Sequence, residues 1–314
     1  MINKKKLQKE KVALPRGVHW TPVNDALDQL KKNIQAIRKI EKIATKRAVG
    51  RVLGTVVRAL EDNPPFTNSA IDGFGFKGPT TNHKTQLHKI SGFAAAGAPF
   101  DGSVPSGKTV KIFTGAILPP GVDTVLLEED VDESDGDSIT FRVPLGIGAN
   151  TRSFGEDVRK GKKLFDIGHK IRPQDLAILI ATGNSEVDVL QTLQVAIFST
   201  GTELVELELP KKRKNNRLGQ IYDSNRPMLS SIIKGWGFDV VDYGIIPDNA
   251  KWLKEKLNHA ANRSDAIVIS GGASAGDEDY VSKLIRSEGK LKSWRIAIKP
   301  GRPLILGSWD EVPI

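Results

Sequence analysis

Cysteine is absent from this chain of 314 residues. That excludes disulfide staples and thiolate metal sites, and it fits a reducing, cytoplasmic setting. Aromatic residues make up only 6%. A nucleic-acid surface interleaves cations with stacking rings, so this composition offers little to build one from. No apolar run approaches the roughly 18 residues that span a bilayer. The basic start, Met1 to Lys11, leads into no apolar segment and is not a secretory signal. None of the five histidines stands at a metal-ligand spacing, and no serine sits in a nucleophile elbow. Neither a membrane nor a nucleic acid is the expected partner.

What is present is an ordinary soluble composition, 39% hydrophobic and 26% charged, with length for about two domains or three small ones. The net charge of +9 is local. Five lysines against one glutamate lie in residues 1–11, and a second basic run is Lys211-Lys212-Arg213-Lys214-Asn215-Asn216-Arg217. These two stretches account for the excess, so the body of the chain is charge-balanced.

Val23, Ala26, Leu27, Leu30, Ile34 and Ile37 recur at helical spacing after Pro22, which predicts an amphipathic helix. Thr55-Val56-Val57 reads as a strand. From Glu61 to about Arg159, glycine and proline punctuate short apolar runs, the pattern of a β-rich domain with working loops. A helix is expected over Pro173–Ala181, ended by Gly183. After Leu193 the units alternate. Val195–Phe198, Asp239–Val241, Asp265–Ser270 and Trp294–Ile298 read as strands. Arg226–Lys234, Ala250–Ala261 and a segment with Val281, Leu284 and Ile285 read as helices. This order predicts a parallel, helix-covered α/β domain.

Asp265 to Tyr280 is the most informative stretch. A β-branched run suited to burial on both faces leads into Gly271 and Gly272, which permit a tight turn and close approach to a ligand. Ser274 and Asp277 form a capping-box-like pair at a helix start that attracts anions. With Asp277 spent on the cap, Asp279 is the carboxylate left for a divalent cation. The plain alternative is a strand, a turn and a well-capped helix. Ser199, Thr200 and Gly201, like Thr114 and Gly115, put hydroxyls and a glycine directly after an apolar strand, which suits a phosphate or an ordinary strand-end turn. Asp72 lies in a polar turn beside Gly73. Arg152 stands within reach of Glu156 and Asp157 and can form a simple salt bridge. Lys299 and Arg302 sit on a loop stiffened by proline and glycine, which favours a positioned anion contact. Gly102 to Thr109 matches the P-loop pattern letter for letter, yet no strand precedes it and a strand-like run follows. No helix N-terminus is there to meet a phosphate.

The segments NSAIDGF, IFTGAILPPGVDTV, NTRSFGEDV, FSTGTEL, IYDSN, SGGASAGDEDY and AIKPGRPL follow one another over about residues 20–307. In that order the chain resembles the molybdopterin molybdenumtransferase family of the MoeA type, which includes the E domain of gephyrin. The resemblance implies insertion of molybdate into adenylylated molybdopterin with release of AMP, dependent on Mg²⁺. It implies a cytoplasmic homodimer, supplied by a molybdopterin adenylyltransferase, with each site shared between the α/β domain of one subunit and the β-rich domain of the other. The implied layout is an elongated dimerisation domain over 16–60 and 160–190, a β-rich insertion over 61–159, and an α/β molybdopterin-binding domain over 191–314. By motif position Asp72, Thr114, Arg152 and Asp157 are site residues of the β-rich domain. Glu203, Asp248, Asp279, Lys299 and Arg302 belong to the α/β domain, with Glu203, Asp248 and Asp279 as the metal carboxylates. Asn249 stands where many relatives have a second acid, and Arg302 where they have lysine. The sequence given stops at Ile314, before the loop and small β domain usual in the family, so weak turnover by this portion is expected. A non-catalytic scaffold of the same fold and an adenylyltransferase are the alternatives; the long β-rich region opposes the second.

Lys108→Ala is expected to leave AMP binding nearly unchanged, because Lys108 lacks the helix start that a P-loop requires. A calorimetric titration checks this, and a loss as large as that from Asp279→Ala would restore the P-loop reading.

Overall fold

A computed structural model describes residues 21–33, 39–207, 219–272, 280–294 and 304–314. Helix α1 (Val23–Asn33) follows Pro22, and its Ala26 is buried while Val23 and Leu27 stay exposed. The rest of the expected helix, with Ile34 and Ile37, lies outside the described residues. The chain divides into two compact units, at residues 39/40 and 190/191.

The first unit begins and ends on paired strands. β1 (Ile40–Ala44) runs antiparallel to its last strand, and β2 (Val57–Arg58) pairs far ahead in sequence. Between them come β3 (Asn68–Ser69), β4 (Gly73–Phe76), β5 (Thr85–Ala94), β6 (Lys108–Ile112), β7 (Thr124–Leu127), β8 (Glu133–Ser134), β9 (Ser138–Phe141) and β10 (Thr151–Arg152). β11 (Lys163–Phe165) partners β2; α2 (Pro173–Ala181) follows, and β12 (Glu186–Leu190) partners β1. Six strands form a sheet in the order β7-β4-β6-β5-β9-β8. Phe74, Phe76, Leu87, Leu126, Ile139 and Phe141 make its core, and Ala94, Ile112, Ala116 and Val125 a smaller one. A separate core of Leu53, Val57, Ile171, Leu179, Val187 and Val189 ties the two ends of the unit together. Gly73 has to be glycine, since a Cβ there would stand 1.8 Å from the Leu126 carbonyl oxygen of β7.

The second unit is built on β13 (Gln194–Thr200), followed by β14 (Leu204–Val205), β15 (Ile221–Tyr222), α3 (Asn225–Gly235), β16 (Asp239–Ile246), α4 (Ala250–Ala261), β17 (Ala266–Ser270) and α5 (Tyr280–Ser287). β18 (Lys290–Trp294), β19 (Ile305–Trp309) and β20 (Val312–Pro313) close it. β13 lies between β16 and β17, parallel to both. Its alternation explains its unbroken apolar run. Val195 and Ile197 pack with Ile233 of α3, while Ala196 and Phe198 pack with Leu253, Leu257 and Ile285 of α4 and α5. The strand buried on both faces is therefore β13. The Asp265–Ser270 run, expected in that place, forms β17, which pairs with β13 alone among the described residues. The last expected strand also differs. It starts earlier, at Lys290, and runs antiparallel to β19; residues 295–298 lie outside the described residues.

Helix α2 matches its expected span because Pro173 opens it and Gly183, at φ 82°, follows its end. Asp175, buried to 4%, accepts from the Arg172 backbone N–H at 2.9 Å, from Arg172 Nη2 at 2.9 Å and from His169 Nε2 at 2.7 Å. The Arg172 side-chain hydrogen bonds hold its carboxyl well below the usual range, against the opposing effect of burial. A depressed folded-state value stabilises the fold above the unfolded carboxyl value, and this is lost as pH falls through and below it. Asp175→Asn should therefore lower unfolding free energy by about 1–3 kcal/mol near neutrality. The gap should close in acid, where wild-type Asp175 gains its proton. Urea titrations at neutral and acid pH check both; equal stability at neutral pH would remove Asp175 from the fold's supports.

Candidate functional site

In a parallel sheet all strands point one way, so the turns after β13, β16 and β17 gather at one edge, where such sheets hold ligands. Thr200 is level with Ile246 of β16, and Ser199 with Ser270 of β17. The Thr202 backbone N–H donates to Asp248 Oδ2 at 3.1 Å, tying the β13 turn to the β16 turn. A Cβ on Gly201 would come within 2.5 Å of Glu203 Oε2, so that carboxylate folds back over the turn. Gly271, at φ 102°, presses on β13: a Cβ there would stand 2.3 Å from the Thr200 carbonyl oxygen. Gly272 lies equally close to Val281 of α5. The Thr200 hydroxyl is buried and has no hydrogen-bond partner among the described residues. An enclosed hydroxyl in that state suits an oxygen-rich ligand.

Asn249 is engaged at the start of α4. Its Oδ1 accepts from the N–H groups of Lys251 at 3.0 Å and Trp252 at 3.2 Å, which caps α4. Ser274, Asp277, Asp279, Lys299 and Arg302 lie outside the described residues. Among the described residues no three acids or histidines cluster as a metal site. Glu203 and Asp248 are nevertheless oxygen donors of the kind Mg²⁺ takes, one or two carboxylates beside substrate phosphates.

Sequence reasoning passed over Arg226. Buried to 8% in the first turn of α3, it donates through Nε to Asp223 at 2.9 Å, through Nη1 to both oxygens of Asp242 at 2.7 and 2.6 Å, and through Nη2 to Glu206 at 2.7 Å. Burial acts to lower the Arg226 pKa, but the carboxylates of Asp242 and Asp223 win and raise it. The signal was an arginine directly after the IYDSN segment, three residues beyond the aspartate in it, at a helix start. Beside that helix start a cavity of about 370 Å³ opens between Asn225 and Met228 of α3, Ser270 of β17 and Gly271 just after it.

The other unit carries the remaining predicted residues. β3 pairs with β10, which puts Asn68 opposite Arg152, and Ser69 exchanges backbone hydrogen bonds with Gly115 and Ala116. Three segments distant in sequence thus meet. Asp72 Oδ1 accepts from both the N–H and the hydroxyl of Thr114, each at 2.7 Å. The Thr114 hydroxyl first, then its amide, hold the exposed Asp72 carboxyl below its usual value, with Lys111 adding to the effect. Arg152 Nη2 donates to Asp157 Oδ2 at 2.5 Å, and Asp157 also accepts from Asn63 Nδ2 at 3.2 Å. Arg152 and Asp157 form the salt bridge that their spacing allows. Lys108 opens β6, and the Thr109 hydroxyl is buried against the Gly75 carbonyl at 2.9 Å, so a strand stands where a P-loop has its helix.

Residues 21–183 match the MoeA N-terminal region (domain I and II), and residues 196–312 match a probable molybdopterin binding domain. The chain is 32% identical over 271 residues to a molybdopterin molybdenumtransferase of Haemophilus influenzae, covering 86% of this chain and 66% of that protein. It is 30% identical over 312 residues to one of Nostoc sp., covering 95% of this chain and 70% of that protein. A solved molybdopterin biosynthesis MoeA protein of Pyrococcus horikoshii OT3 superposes with a TM-score of 0.77 at 30% identity, over 94% of this chain and 73% of that one. The chain thus spans about two thirds of the length of the curated relatives it matches.

Arg226→Met would leave the buried Asp223 carboxylate without its cation, while Asp242 and Glu206 stay open to water. Its unfolding free energy should fall by about 3–5 kcal/mol, the range for breaking a buried ion pair. Arg226→Lys, which keeps the charge and loses the fork, should fall between. Urea unfolding of both variants checks this, and a methionine variant as stable as the parent would show that the cluster supports nothing.

Proposed function

The chain belongs to the MoeA family, and from that membership we propose that it inserts molybdate into adenylylated molybdopterin with release of AMP. The observation that carries the reading is the convergence of three parallel strand ends on one edge, with a buried Thr200 hydroxyl that has no partner among the described residues. Backbone N–H groups at Gly201 and Gly271 and the Thr200 hydroxyl receive phosphate oxygens of the substrate. Glu203 and Asp248, with Asp279 as the third carboxylate, hold Mg²⁺. Mg²⁺ held by these carboxylates would supply positive charge to offset the substrate phosphates. Lys299 and Arg302 contact molybdate or phosphate as anion partners. Asp72 and Thr114 act as a positioned acceptor and donor, and Asp157 holds Arg152 in place. The working form is a cytoplasmic homodimer with 16–60 and 160–190 as its elongated domain, and a molybdopterin adenylyltransferase delivers the pterin nucleotide.

The test supplies adenylylated molybdopterin, molybdate and Mg²⁺ and follows AMP by chromatography alongside cofactor formation. AMP release should require both the ion and molybdate. Asp279→Ala should lose metal-dependent release while unfolding at the parent temperature. Normal Mg²⁺-dependent release by that variant would sink its metal role. Tight pterin binding with no AMP release by the parent chain would favour a scaffold instead.

A further inference from the structure

The face of the six-stranded sheet beside Asp72 carries two exposed rings that no assigned role uses. Gly73 lies opposite Ile112 and Phe74 opposite Lys111, so the next step along brings Asp72 up beside Phe113. Phe93 lies level with Lys111 across the parallel pairing of β5 and β6. The Phe93 and Phe113 rings meet at 5.8 Å and 76°, and they stay 56% and 37% exposed in a chain poor in aromatics. Lys111 fixes the surroundings. Its Nζ stands 4.8 Å from the Phe74 ring centre and 5.6 Å from that of Phe113, and it pairs with Glu128 at 2.5 Å. Glu128 is itself tied to Asp72, whose carbonyl oxygen accepts its backbone N–H at 3.3 Å. Rings, cation and carboxylates therefore form one cross-strand patch.

Two rings set nearly at right angles make a corner in which a flat ligand stacks on one and meets the other edgewise. Both Thr114 hydrogen bonds go to Asp72 Oδ1, and Oδ2 takes neither. An ionised carboxylate only accepts hydrogen bonds, so it selects a ligand edge made of N–H groups. We propose that this corner seats the planar nitrogen heterocycle of the substrate, stacked on one of the two rings and edgewise to the other, with an N–H edge donating to Asp72. The inference rests on the functional reading above, and that substrate carries two such rings, a pterin and an adenine. The pterin fits better. Its amino group and adjacent ring N–H form an all-donor edge, whereas adenine places a ring acceptor beside its amino group. Lys111, held between Phe74 and Glu128, positions the patch and does not touch the ligand.

The experiment titrates the chain with free pterin, read by pterin fluorescence, and with AMP, read by calorimetry. Phe113→Leu and Phe93→Leu keep apolar bulk and remove the ring; Phe113→Tyr keeps it. The leucine variants should bind pterin about tenfold more weakly, the scale of one aromatic stacking contact. AMP binding should stay at the parent level, and the tyrosine variant should bind pterin like the parent. Weakened AMP binding with unchanged pterin binding would keep the corner and assign it to adenine. Leucine variants that unfold at the parent temperature and bind both probes normally would overturn the corner alone. Binding of neither probe by the parent chain would overturn the functional reading with it.

Discussion

β17 can lie against β13 at its carboxyl end only because residue 271 has no side chain. A methyl group there would sit 2.3 Å from the Thr200 carbonyl oxygen, well inside contact distance. That approach brings the turn after β17 onto Thr200 and its enclosed hydroxyl. The positive φ of Gly271 sends the chain on toward α5 at a conformational cost that side-chain-bearing residues rarely meet. Asp248 closes the other flank through the Thr202 amide. Strand ends packed this tightly present N–H groups, a hydroxyl and carboxylates within one small region, which is what a charged phosphate ester with a hard cation requires.

Charge in the chain is held by local donors rather than by its overall excess. Asp72 is kept ionised by Thr114, Asp175 by Arg172 and Asp223 by Arg226, the last against the cost of its own burial. The Arg226 cluster joins the segment after β14, the start of α3 and strand β16, so one guanidinium fixes three pieces of chain together. Arginine suits this because its fork serves several carboxylates at once, which a lysine ammonium does less well.

Local features were legible in the sequence. α4 has its expected span because its apolar residues keep helical spacing and Asn249 caps it. α2 has its span because proline and glycine bracket it. The Arg152–Asp157 bridge follows from a spacing of five residues. Long-range features were not legible. Nothing local pairs Asp72 with Thr114, 42 residues away, until β4 and β6 are aligned in register. β13 and β17 are both short apolar runs, and only the sheet order shows which is central.

Crystals of the chain soaked with AMP and Mn²⁺, with the ion located by its anomalous signal, address the strand-end site itself. The ion should appear at coordination distance from the Glu203 or Asp248 carboxylate, with the AMP phosphate at the Thr200–Gly201 turn. An ordered AMP and ion bound together anywhere else, such as the Gly102–Thr109 loop, would contradict a site built from the ends of β13, β16 and β17.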